Sequence, residues 1–78
     1  MSQKKIMCEN DLAALAKHFR KQAGKTRAQA ARDMKVSQTS IFHGEESPEQ
    51  GMIKLRKRMI ETYSPYKVRG PVYLLEKK

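Results

Sequence analysis

The tightest constraint on this chain is a connection of two or three residues. Thr26 is a good helix N-cap, and residues 27–35 contain Ala28, Ala30, Ala31 and Met34 with no helix breaker. Val36 ends that segment and is expected to pack inward. Ser37 then caps a short third helix over residues 38–43, expected to stop at Gly44. Two helices joined so closely must cross sharply. Ala31 is small where they approach, and Ala30, Met34, Val36 and Ile41 are apolar where the pair buries its inner side. The local logic is that of a helix-turn-helix.

The flanks supply the rest of a small helical body. Asn10 is a natural N-cap and Asp11 suits the positive end of a helix dipole. Leu12, Leu15, Ala16 and Phe19 then follow at helical spacing, Arg20 and Lys21 fall in the last turn, and Gly24 closes it, predicting a first helix over residues 11–23. Ser47-Pro48-Glu49-Gln50 reads as the start of a fourth helix, with Ser at the cap and Pro at the first position. Met52, Leu55, Met59 and Tyr63 form its apolar stripe, and Lys54, Arg56, Lys57 and Arg58 are expected on its wet side. Ser64-Pro65 breaks that helix near Thr62. Val68, Val72, Tyr73, Leu74 and Leu75 favour extended backbone, interrupted by Gly70-Pro71. The expected fold is mainly α: a four-helix domain with a helix-turn-helix and a short C-terminal β-strand or hairpin. Residues 1–9 either fray or supply a short edge strand at residues 5–7, residues 10–62 form the helical domain, and residues 63–78 form the β tail.

Length and charge narrow the function classes. A chain of 78 residues holds one domain, too small for a sizeable substrate pocket. Its 17 Lys and Arg against 8 Asp and Glu leave a formal charge of +9, a field that favours polyanions. The excess is spread: residues 1–24, 25–44 and 63–78 each carry +3, whereas residues 45–62 are neutral. That argues for a basic folded body rather than a basic arm. No apolar run reaches the roughly 18 residues of a membrane span, and Lys4 and Lys5 precede no signal-type apolar stretch. The single cysteine suits a reducing, cytoplasmic setting, and no Cys/His cluster has zinc spacing. Ser40, His43 and Asp33 lack a nucleophile elbow or an oxyanion site, so no enzyme, metal or cofactor is expected.

Ser37, Gln38 and Thr39 stand at the start of the third helix, the end that meets base edges in a helix-turn-helix. Gln can bond adenine bidentately, and Thr can bond a base or touch a thymine methyl. The run Ala30-Ala31-Arg32-Asp33-Met34-Lys35-Val36-Ser37-Gln38-Thr39-Ser40-Ile41-Phe42-His43-Gly44 resembles the Cro/C1-type helix-turn-helix repressors, and the β-rich tail resembles their Cro-like branch. The likeness covers roughly half the chain. It implies base contacts from Gln38 and Thr39, with Phe42 and His43 in or along the groove. It also implies phosphate contacts from Thr26, Arg27 and Ser37, with Lys25 and Lys35 as neighbours by charge. Where the family has Gly at the turn this chain has Lys35, which implies a left-handed Lys. Where the family has an aliphatic residue this chain has Gly44. Phe42 is unusual at a polar reading position; core packing is its more ordinary place, and thymine-methyl contact the alternative.

The tail carries a separate expectation. Tyr73, Leu74 and Leu75 are too apolar for an open edge, so with Val72 they either cover the core or pair across a homodimer. In the family a C-terminal strand builds such a dimer sheet, and two recognition helices about 34 Å apart imply a pseudopalindromic double-stranded DNA operator. The rival is a basic RNA- or protein-binding module, antitoxin-like, on the same fold.

Overall fold

The computed structural model describes the backbone of residues 6–69 and 73–78. Along the chain run β1 (Ile6–Met7), α1 (Glu9–Gln22), α2 (Arg27–Met34), α3 (Gln38–Glu46), α4 (Ile53–Tyr63), β2 (Tyr66–Arg69) and β3 (Tyr73–Lys77). The fold is mainly helical, with a helix-turn-helix at α2–α3 and a short β tail, as the sequence predicts. The core lies among the helices. Leu12, Ala16 and Phe19 of α1 meet Leu55, Met59 and Ile60 of α4, while Ala30, Ala31 and Met34 of α2 and Ile41 of α3 close it from the side.

Three boundaries differ from expectation, each for a tertiary or capping reason. α1 begins at Glu9 rather than after Asn10, because the Asp11 carboxylate accepts the Cys8 N–H at 3.1 Å and makes Cys8 the cap. Gly44 does not stop α3, which runs on to Glu46. It is instead the point where α3 touches α4: a Cβ added there would lie 3.4 Å from Leu55 Cδ2. Ser47 does not open α4. Its N–H closes α3 on the His43 carbonyl at 2.9 Å, residues 47–52 form a turn, and α4 begins at Ile53. Arg56, expected on the wet side, is fully buried and takes the carbonyls of that turn, which fixes the later start.

The strands form one antiparallel sheet in the order β1-β3-β2. Ser64 closes α4, its hydroxyl donating to the Ile60 carbonyl at 2.6 Å and accepting the Tyr66 N–H at 3.1 Å. Val68 and Leu75 are cross-strand partners; Val68 is buried in the core and Leu75 packs against it from a half-buried position. The short edge strand is present at Ile6–Met7. The Gly70-Pro71 interruption and Val72 lie outside the described residues.

Candidate nucleic-acid interface

The turn between α2 and α3 is made by one left-handed residue. Lys35 sits at φ 59°, ψ 46°, and its N–H and that of Val36 close α2 on the carbonyls of Arg32 and Ala31. The left-handed Lys implied by the missing glycine is therefore real. Thr26 caps α2: its hydroxyl accepts the Gln29 N–H at 3.1 Å, and the Gln29 side chain accepts the Thr26 N–H at 2.8 Å, a reciprocal capping box. Ser37 caps α3 by accepting the Ser40 N–H at 3.1 Å. Both hydroxyls expected at phosphates thus accept a backbone N–H as helix caps, which uses a lone pair and not the O–H that a phosphate would take.

The exposed face of α3 carries Gln38, Thr39 and Phe42. Neither Gln38 nor Thr39 makes a side-chain hydrogen bond among the described residues. Phe42 is 43% exposed, so its expected core packing is not what the structure has. It follows Ile41 by one residue, about 100° around the helix, and Ile41 is the one that faces the core. His43 is half-buried; its Nδ1 lies 3.1 Å from the Ser47 hydroxyl and 3.4 Å from Gln50 Nε2, toward the α3–α4 turn.

Arg27 is not a free cation. Its Nε donates to Glu45 at 3.1 Å, its Nη2 donates to Glu46 at 2.9 Å, and its guanidinium carbon stands 5.1 Å from the centroid of the Phe42 ring. Glu45 is buried and also receives two bonds from the buried Arg20, at 2.5 and 3.0 Å. Glu46 accepts from Lys17 at 2.6 Å. That ammonium, with the charges of Arg27 and Lys21 behind it, holds the Glu46 carboxyl below its ordinary range. Of the expected phosphate neighbours, Lys25 lies 3.9 Å from Asp33, and exposed Lys35 has no carboxylate partner among the described residues.

Periodicity could have found what the residue types concealed. Arg56 lies four residues from Met52 and from Ile60, inside the apolar stripe, and Glu45 lies four residues after buried Ile41. The Arg56 side chain donates to the carbonyls of Gly44, Gln50 and Ser47, each at 2.8 Å, and to Glu9 at 2.5 Å. It thereby satisfies a backbone acceptor that the end of α3 leaves open.

The tail packs on the core through Val68 and Leu75, and β3 is an inner strand at Leu74 among the described residues. Leu74 pairs with Ile6 on one side and Arg69 on the other, and Tyr73 pairs with Met7. On β2, the N–H groups of Tyr66 and Val68 go to Ser64 Oγ and to Glu61 Oε2, at 3.1 and 3.0 Å. Of the two places expected for Leu74, pairing across a homodimer by strand addition finds no open edge, because its backbone is paired on both sides within the chain. Among the described residues, no group of three or more His, Cys, Asp or Glu could hold a metal ion, and no helix is long and apolar enough to cross a membrane. No family model, no curated protein and no solved structure matches this chain.

Proposed function

We propose that this chain is a sequence-specific double-stranded DNA-binding regulator of transcription, a Cro-like repressor acting in the cytoplasm at the nucleoid. In this reading α3 enters the major groove, Gln38 and Thr39 address base edges, and a homodimer meets a pseudopalindromic operator. The observation that carries the reading is the state of the first turn of α3. Gln38 and Thr39 there are exposed and make no side-chain hydrogen bond among the described residues, while Ile41 in the same turn is buried and the C-terminal end of the helix is fastened to the body. The net charge of +9 supplies the sequence-independent attraction such a protein needs. Lys35, beside that first turn, is a free phosphate-facing cation in this scheme.

The test is selection of random duplex DNA by the purified protein at physiological salt, with its mass in solution measured alongside. The expected result is a palindromic consensus bound by a dimer. Gln38→Ala should then cost about 1–3 kcal/mol on that site and relax preference at one base pair per half-site. An unchanged preference would remove Gln38 from the reading. Tighter binding to structured or single-stranded RNA would favour the rival module instead.

A further inference from the structure

A large apolar ring stands on the face of α3 where polar readers are expected. Phe42 lies four residues after Gln38 and three after Thr39, so the three share one side of the helix. It is 43% exposed, whereas Ile41 beside it is fully buried. Phe has no donor or acceptor for a base edge. The major groove offers one apolar group in its code, the 5-methyl of thymine. We propose that Phe42 is a specificity-determining residue that packs on a thymine methyl, and that Arg27 is the positioning residue that holds its ring. This rests on the DNA-binding reading above.

Arg27 fits that second role better than a phosphate contact. Glu45 and Glu46 already receive its Nε and Nη2, so those two donors are engaged within the protein, although the same acids also take Arg20 and Lys17 and the cluster stays net positive. The same two bonds fix the guanidinium plane near the Phe42 ring, 5.1 Å from its centroid. A cation held over an aromatic face restrains the ring and occupies that side of it. A base stacking flat on Phe42, as in single-strand recognition, would compete for ring surface with Arg27; a methyl needs only the exposed remainder.

The experiment uses the duplex consensus returned by selection, with each thymine replaced in turn by deoxyuridine, which removes the methyl and nothing else. Wild-type protein should lose about fourfold in affinity at one position per half-site, the size of one buried methyl group. Phe42→Ala should bind the thymine and uracil duplexes alike while keeping its helical circular dichroism, and Phe42→Leu should keep part of the preference. Arg27→Lys, which retains charge but not the planar guanidinium, should reduce the thymine/uracil ratio, a change that loss of a phosphate contact would not produce. Wild-type indifference to uracil at every position, or discrimination that survives in Phe42→Ala, overturns the proposal while duplex recognition stands. A thymine/uracil ratio unchanged in Arg27→Lys overturns the positioning role. Failure to select any duplex, or preference for single-stranded RNA, overturns the DNA reading and this proposal with it.

Discussion

The two ends of α3 are built on opposite principles. At its N-terminus one hydroxyl, Ser37 Oγ, caps the helix, and the next two side chains, Gln38 and Thr39, make no hydrogen bond among the described residues. At its C-terminus Gly44 abuts Leu55, Arg56 takes the Gly44 carbonyl, and Arg20, Arg27 and Lys17 bind Glu45 and Glu46. Two acids in a last turn oppose the helix dipole. Here four cations from α1, α2 and α4 surround that end and reverse the balance. Most of the side-chain fastening is therefore at one end, and at the other Gln38 and Thr39 keep their polar groups unspent. A helix fastened this way presents Gln38 and Thr39 at a fixed angle without using those two side chains for its own stability.

The comparison breaks most easily at Arg56. Arg56→Ala removes a buried cation, leaves the Gly44 carbonyl without its side-chain donor, takes a second donor from the Ser47 and Gln50 carbonyls and opens a cavity. The expected loss is about 3–5 kcal/mol, from the cavity and the unsatisfied Gly44 carbonyl, a large share of the stability of a domain this small. Urea unfolding should find the variant largely unfolded at room temperature; a loss below about 1 kcal/mol would mean that water replaces the guanidinium freely. Next comes Glu45→Gln, which keeps the shape but leaves the charge of buried Arg20 unmatched. A loss of about 3 kcal/mol is expected, with part of it recovered when Arg20 is also replaced by Met. If the double variant were no better than the single one, Arg20 and Glu45 would not be acting as a pair.

The same division explains what the sequence made legible. The helices α1, α2 and α3 follow from apolar spacing and local caps, because each is decided within a few residues of itself. The left-handed turn at Lys35 is what the resemblance implies, through the glycine of the family at that place, and not something the apolar spacing specifies. What stayed hidden is the C-terminal end of α3. Ser47-Pro48-Glu49-Gln50 is a sound helix start by local chemistry, yet Arg56 draws on the carbonyls of Ser47 and Gln50, which holds that stretch as a turn. A charged residue type argued for the surface at Arg56, Arg20 and Glu45, and only the i±4 spacing argued otherwise. The placement of β1 against β3 joins residues nearly the full chain apart, a pairing no local pattern specifies.

At the free end the expected effects are smaller and separable from binding. Ser37→Ala removes the cap of α3 and should cost about 1 kcal/mol in stability. Its operator affinity should fall little, because the helix remains fastened at its other end. A large affinity loss with unchanged stability would instead make Ser37 a direct contact.

Lys35→Gly sharpens the contrast furthest, because it moves stability and binding in opposite directions. Lys35 holds a left-handed conformation that a side chain disfavours and glycine adopts freely. Glycine also loses more chain entropy on folding, so the net gain should be about 0.5–1 kcal/mol, read as a higher melting temperature. The same change deletes an exposed cation next to the first turn of α3. Affinity for duplex DNA should fall for all sequences, and the dependence of log affinity on log salt should flatten by about one unit. If the variant melted higher but kept its salt slope, Lys35 would be a turn residue alone and the phosphate contacts would lie elsewhere on the basic surface. If it melted lower, the backbone entropy of glycine would outweigh the relief of strain, and the left-handed Lys would be an inexpensive substitute at this turn.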